Sequence, residues 1–441
     1  MKNYFIFLFT FFAATSSFSQ TGIWYKGDLH CHTTYSDGDN SLYEVMQDAR
    51  NKGFTFFVIT DHDNIYTPNA GELLHWADTA YHDDNMLLLY GDEWTTDNGH
   101  ACIWNANQFP YEEIYQANSA NDPSFAAQLV DSLGGLFSVN HPLNDYLLWQ
   151  YGYDLNFNAM EILNGPVSYI LSHNSSVITD TWEPLLLSGR RITAVGGSDM
   201  HKLDYWMPSL YPNLGSPSTW VFSETHSSQG IIDGIKNGHV CISNSPTEPH
   251  VEFFSDADMN GTYELMMGDQ YYDTLNPVTF KIKLLGSSTT NLEFNVIKNG
   301  TLLYAQPFAV SAMNPEVTFS DIPGQRSFYR VELLSDGEPV SWTNPIYFGY
   351  EPQSTVSVDQ MNDYKETDVF PNPVKEFVLV RNRTKEILNV TLINMNGETL
   401  SSRISRDEII KIDIQDLNQG VYFVKVNNNK IDKTFKILKI R

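Results

Sequence analysis

Lys26-Gly27-Asp28-Leu29-His30-Cys31-His32-Thr33-Thr34-Tyr35-Ser36-Asp37 is the most telling stretch of this chain. An apolar run, Ile23–Tyr25 and then Leu29, ends in two histidines one residue apart, and an aspartate follows. In an extended strand, residues i and i+2 share a face. His30 and His32 would therefore aim both imidazoles at one point, and Asp37 in the next loop would add an oxygen. That is a metal-ligand spacing. Alone, such a pair is usually a surface accident, so its meaning depends on partners elsewhere.

The bulk numbers set the frame. A chain of 441 residues has room for about two to four domains. Hydrophobic content of 42% and aromatic content of 13% suffice for real cores and argue against global disorder. A formal net charge of -26 argues against nucleic acid as a general partner, because electrostatic attraction to phosphates would be missing. The balance is uneven, with about half of the Lys and Arg after Tyr364. Residues 1–19 read as a signal peptide: Lys2, an apolar core Tyr4–Ala14 too short to span a membrane, then a small, polar Thr15–Ser19. No later stretch reads as a transmembrane span. Three cysteines, Cys31, Cys102 and Cys241, make no disulfide framework. Alternation is expected to turn Cys31 and Cys102 away from the metal face as small packed residues.

Residues 21–245 alternate apolar runs with helical stretches. Strands are expected at 23–29, 55–60, 86–90, 101–104, 135–139, 159–163, 192–196 and 218–222. Helices are expected at 42–52, 70–81, 124–132, 172–188 (broken near Pro184) and 229–236, several closed by glycine. This alternation suggests an α/β barrel or a layered sheet. Ligand-type side chains follow successive strands: Asp61-His62-Asp63, then Gly91-Asp92-Glu93 with His100, then His141-Pro142, then Ser198-Asp199-Met200-His201. Barrel enzymes place their chemistry at such strand ends. Six of the twelve histidines fall there, which independent accidents would not readily produce.

These motifs, G-D-L-H-C-H-T-T-Y-S-D-G, I-T-D-H-D, G-D-E-W with a following histidine, N-H-P and G-G-S-D-M-H, resemble those of the polymerase and histidinol phosphatase (PHP) family of metal-dependent hydrolases. Residues 230–240 resemble the closing helix and strand of its exported, carbaryl-hydrolase-like branch. The resemblance implies an α/β fold: a distorted seven-stranded (β/α) barrel over 20–245, with two to three divalent metals (Zn, Mn or Fe) at its strand ends. It implies His30, His32, Glu93 and Asp199 around one metal, and Glu93, His100 and His141 around a second. Asp37, His62 and His201 would hold a third. A carboxylate bridge keeps two metals about 3.5–4 Å apart, and the all-N/O donor set suits these ions. Asp61 and Asp63 flank His62 and would either orient ligand rings or cap a loop. His201, Asp63 and Glu161 are the candidate catalytic groups. Lys202 and, behind it, Arg190 are the candidate substrate-binding cations.

From about Pro246 the pattern becomes short alternating strands separated by turn signals such as Lys298-Asn299-Gly300, an immunoglobulin-like β-sandwich over 246–350. Residues 351–367 read as a linker. Residues 368–441 form a third, small β unit with a basic last strand. It resembles the C-terminal sorting domain of type IX secretion cargo, which implies the type IX machinery as a partner and a secreted or outer-surface location. The leading expectation is a secreted phosphoesterase using a metal-bridging hydroxide on a small-molecule or oligomeric phosphoester. Its rivals are a carboxyl ester, amide or carbamate hydrolase, and a non-catalytic surface binding protein.

Overall fold

A computed structural model describes residues 22–63, 75–109, 114, 118, 121–143, 148–165, 175–204, 213–286, 291–308 and 316–350. It also describes 367–439 apart from 371–373, 375–376, 383, 385, 396, 408, 416, 429 and 431. The signal peptide expected at 1–19, and the expected linker apart from Thr367, lie outside the described residues.

The chain enters through β1 (Ile23–Gly27), and α1 (Leu42–Asn51) follows. The Ser41 hydroxyl accepts from the Glu44 N–H, and the Glu44 carboxylate accepts from the Ser41 N–H. This capping box satisfies donors that the first turn leaves open. Leu42, Val45, Met46 and Ala49 fall on one helical face and are all buried. β2 (Phe56–Phe57) and β3 (Leu87–Leu88) make a short parallel pair. Next come β4 (Tyr90–Thr96), β5 (Gly99–Asn105), β6 (Leu136–Val139), β7 (Ala159–Asn164) and β8 (Thr193–Gly197), which form one sheet in that order. Its first two joints are antiparallel and its last two parallel. α2 (Pro123–Ser132) precedes β6, and α3 (Glu183–Leu187) precedes β8. β9 (Ser218–Ser223), α4 (Ser228–Asn237) and β10 (Val240–Ser243) close this half, with β9 paired between β1 and β10.

The chain is mixed α/β with few helices, and several expected elements differ. Of the helix expected at 70–81, only a single turn at His75–Ala77 falls among the described residues. The strand expected at 86–90 does not stop there. It resumes at Tyr90, runs through Glu93 to Thr96 and turns back into β5, so Glu93 and His100 sit on one hairpin. Asp97-Asn98-Gly99 is the turn signal behind it. Around Pro184 the helix does change, from a wide π turn at Val177–Trp182 to α3.

The strands do not join in one continuous ladder ring. Among the described residues they fall into three ladders, linked at the rim by short backbone bridges at His62–Glu93 and Cys31–Met200 and by further backbone bonds. Thr60 N–H donates to Cys31 O, Glu93 N–H to Asp61 O, Asp199 N–H to His30 O and His32 N–H to Met200 O. The outer edge of β8 is satisfied by side chains instead of a strand. Thr219 Oγ1 accepts from Gly196 N–H (3.0 Å) and donates to Gly196 O (2.7 Å). Asn344 Oδ1 accepts from Ala194 N–H (2.8 Å), while its Nδ2 donates to Ala194 O (2.8 Å) and Val240 O (3.0 Å).

Asn344 comes from the second half, which is two facing sheets. One holds β11 (His250–Asp256), β12 (Leu265–Met266), β14 (Val278–Leu285) and β17 (Glu316–Asp321). The other holds β13 (Gln270–Tyr271), β15 (Leu292–Lys298), β16 (Thr301–Phe308), β18 (Ser327–Ser335), β19 (Glu338–Thr343) and β20 (Ile346–Phe348). Alternate residues of β14 (Val278, Phe280, Ile282, Leu284) are buried, the period-2 signature of a sheet with one covered face. β10 pairs with β19, so the β1-β9-β10 ladder passes into this unit without a break. Phe328, Trp342, Tyr347 and Tyr350 join the core of the first half, and a buried Arg330–Glu183 ion pair (2.8 Å) crosses the joint.

The C-terminal unit has its own core around Val380, Val390, Leu392 and Val424. Its sheets are Thr367–Phe370, Phe377–Asn382 and Ile409–Asp413, and Thr399–Ser405, Leu388–Ile393, Gly420–Asn427 and Asp432–Lys439. No helix among the described residues is long and apolar enough to cross a membrane.

Two outcomes follow from the joint between the halves. Asn344→Ala strips partners from the Ala194 and Val240 backbone groups and is expected to cost about 3 kcal/mol, read as a lower urea midpoint at unchanged slope. His250 stacks on Trp220 with centroids 4.3 Å apart; burial, and then Lys283, push its pKa down to about 4. It stays neutral in the fold, whereas the unfolded chain protonates it near 6.5. Its stabilising contribution is full above pH 6.5 and is lost as pH falls towards 4, by about 3 kcal/mol. His250→Phe should therefore melt higher relative to wild type at pH 4 than at pH 7.

Candidate metal centre

Glu93 lies at the middle of β4, and its carboxylate is 1% exposed. Five imidazoles surround it. Its Oε1 is 3.1 Å from His30 Nε2, 3.3 Å from His100 Nδ1 and 3.4 Å from His141 Nε2. Its Oε2 is 2.8 Å from His62 Nδ1 and 3.5 Å from His32 Nε2. Asp199 Oδ1 lies 3.3 Å from His30 Nε2 and 3.1 Å from His32 Nε2. The H-x-H strand end, the hairpin and the β8 end thus meet at one point. A second cluster opens towards solvent: Asp37 Oδ1 lies 3.3 Å from His201 Nε2, 3.6 Å from His62 Nε2 and 3.8 Å from His32 Nδ1. Asp37 is 39% exposed and His201 37%, against 0% for His30 and His32, so this cluster is the solvent-facing part of the site.

The electrostatics follow from this crowding. Burial disfavours a charged Glu93, yet His30, His62 and His100 outweigh it and hold the carboxyl well below its usual range. Burial, then the neighbouring His201 and His62, drive His32 down to about 3. Burial also opposes charge on His201, but Asp37 and Asp199 overcome it and lift the ring to about 9. Despite the close approaches of His62 and Glu93, the buried Glu93 Oε2, His100 Nδ1 and His141 Nδ1 make no hydrogen bond of acceptable angle. Three sets of side chains place ligand atoms within 4.8 Å of one another: His32, Asp37, His62 and His201; His30, His32 and Glu93; His62, Glu93 and His100. Orphaned buried donor atoms in an imidazole–carboxylate set fit divalent ions such as Zn, Mn or Fe.

The supporting residues were largely silent in the sequence. Asp28 accepts from His30 N–H, Ser198 N–H and Gly215 N–H, holding two ligand segments together. Asn140 Nδ2 donates to Glu93 Oε1 (2.8 Å) and to Cys102 Sγ (3.0 Å). Cys102 lies opposite Glu93 in the β4–β5 ladder and two residues from His100, so it shares their face and is not turned away as expected. Burial lifts its thiol to about 12, which keeps it a neutral packed group. Cys31 does pack outward, its Sγ donating to Val58 O. His141 and Asp199 hold φ of 25° and 55°, a region that non-glycine residues avoid and that clusters at functional sites.

The other expected residues fall as follows. Asp63 Oδ1 accepts from Thr95 N–H and the Asn118 amide, bracing the hairpin. Glu161 bonds His30 Nδ1. Lys202 reaches Asp39 at 2.6 Å on the exposed rim. Arg190 is not brought to the site. It precedes β8, whereas the site follows β8, and its guanidinium serves the Tyr153 and Leu155 carbonyls and stacks on Phe157.

Asp61 fixes the Asp37 loop. It accepts from Thr33 N–H (2.7 Å), Thr33 Oγ1 (2.8 Å) and Ser36 Oγ (2.7 Å), and burial raises its pKa to about 6. Asp61→Ala is expected to speed hydrogen exchange at the Thr33 amide about tenfold or more while leaving Val139 unchanged.

Comparison with known proteins identifies two segments of the chain. The PHP domain model matches residues 28–132, and that of the secretion system C-terminal sorting domain matches residues 368–440. Over 37 residues the chain is 49% identical to the DNA polymerase/3′-5′ exonuclease PolX of Bacillus subtilis; this is 8% of the chain and only 6% of that relative's length. A two-domain protein of Bacteroides vulgatus containing a predicted PHP-like metal-dependent phosphoesterase is 14% identical, with 74% of this chain and 96% of that one covered at a TM-score of 0.34. An amidohydrolase of Chromobacterium violaceum is 15% identical, with 40% and 87% covered at a TM-score of 0.27. The sorting domain addresses the chain to type IX secretion, and so to the cell surface or beyond. The chain therefore carries a PHP domain at residues 28–132 and a secretion-system sorting domain at its C-terminal end.

Proposed function

We propose that this is a secreted metal-dependent phosphoesterase, built as a barrel-like unit over 20–245, a sandwich over 246–350, a linker at 351–367 and a sorting unit over 368–441. One observation carries the reading: the buried Glu93 carboxylate faces five imidazoles while Asp199 completes the ring around His30 and His32. His30, His32, Glu93 and Asp199 would hold one ion, Glu93, His100 and His141 a second, and Asp37, His62 and His201 a third. Bound divalent ions supply Lewis acidity to water and to phosphoryl oxygens. The protein's own part is positioning. His30, His32 and Glu93 are sealed beneath and orient the centre, and Asn140 fixes the Glu93 carboxylate. Asp37, Asp199 and His201 form the more exposed face, and in this reading His201 would serve the leaving oxygen.

A second reading, hydrolysis of a carboxyl ester, amide or carbamate, is favoured by one observation. The nearest cation, Lys202, is engaged by Asp39 on the rim, and Arg190 is directed elsewhere. A phosphate monoanion or dianion would then meet its countercharge chiefly in the metal ions.

The test is a substrate panel run with metal analysis: p-nitrophenyl phosphate, bis-p-nitrophenyl phosphate and p-nitrophenyl acetate. Phosphoester turnover is expected, metal-dependent and lost in His30→Ala and Asp199→Ala. Turnover of the acetate alone would install the second reading. Bound metal with no turnover of any substrate would make the protein a binder.

A further inference from the structure

Glu161 uses both carboxylate oxygens on the candidate centre. We infer that it is a positioning residue that couples two ligand segments, setting the His30 ring with one oxygen and the His141 backbone with the other. The inference rests on the metal-centre reading.

His30 has two ring nitrogens with different tasks. Nε2 faces Glu93 and Asp199 at 3.1 and 3.3 Å, and Nδ1 lies 2.7 Å from Glu161 Oε1. A carboxylate only accepts, so Nδ1 would keep its proton on Glu161 and Nε2 would be the nitrogen left to bind a metal. Glu161 Oε2 accepts from His141 N–H (3.0 Å) and Asn164 Nδ2 (3.0 Å). That bond holds His141 at its unfavourable φ of 25°. Glu161 is 1% exposed, so it cannot meet a substrate. The catalytic role expected from the sequence becomes one exercised through two histidines. Gly197 makes room for this contact: a Cβ there would lie 2.3 Å from Glu161 Oε1 and 2.5 Å from His30 Cβ.

Glutamine at 161 keeps the size but offers one acceptor oxygen. Turned to His30, it sets its NH₂ against the His141 N–H, and turned to His141 it loses His30. Gly197→Ala displaces the carboxylate without removing its charge. The experiment is Co²⁺ uptake by the metal-free full chain, followed by chelator competition and by the visible spectrum, with no substrate present. Both variants are expected to lose about 10–100-fold in Co²⁺ affinity. Both should also change the ligand-field bands, which a remote loss of stability would not alter. Glu161→Gln binding Co²⁺ with wild-type affinity and bands overturns the inference and leaves the proposed function standing. If Glu161→Gln does not fold, the same result for Gly197→Ala overturns it. Wild type that takes up no Co²⁺ overturns both.

Discussion

A carboxylate removed from water must find charge or hydrogen bonds to replace it, and the fold is arranged around meeting that demand for Glu93. An isolated buried carboxylate would be protonated. Here imidazoles from four separate segments converge on it, at His30 and His32, His62, His100 and His141. Each arrives from a strand end or hairpin, so the segments must be held in register to within a fraction of an ångström. The rim bonds, Thr60 to Cys31 and Glu93 to Asp61 among them, are what hold them. Asn140, Asp28 and Glu161 then remove the remaining freedom from the ligand groups. The centre is a property of the whole set of strands and not of any one motif.

Much of this could be read in the chain because strand periodicity translates directly into direction. His30 and His32 share a face by alternation, and the other ligand-type residues follow apolar runs. What could not be read was pairing. The one local hint that the strand at Tyr90 continues through Glu93 is the Asp97-Asn98-Gly99 turn, and without it Glu93 reads as a loop residue. Cys102 is a different case: alternation itself, counted from His100, puts the residue two positions on onto the ligand face. Arg190 was close in sequence to the ligand segment but at the wrong end of β8, a difference of strand polarity. Asn140 sits in the N-H-P motif, but its bond to Glu93, like the roles of Asn164 and Asn344, could not be read, since a buried amide's partners are set by tertiary geometry. The mixed α/β character and the strand-rich second part came through; the way the strands are joined did not.

Cations are scarce in this acidic chain, and their destinations say where charge is needed. Arg191 bonds Gln270 and the Gly268 carbonyl, Arg326 the Leu187 carbonyl, and Arg330 pairs with Glu183 in a buried site. All three bind the two halves together. A planar guanidinium with several donors suits that work, because one side chain satisfies groups on two elements at once. These three arginines thus serve assembly, and positive charge at the centre is left to imidazoles and the ions they fit.

Asn344 completes the edge of a strand laid down 150 residues earlier. That separation has a bearing on biosynthesis. While the first 245 residues are emerging, β8 has exposed N–H and C=O groups along one edge and β10 has no β19 beside it. Open edges of this kind recruit other chains. The first half cannot reach its final state alone: it stays partly unpaired until the residues around 344 have been made, so what is synthesised first is completed by what comes later.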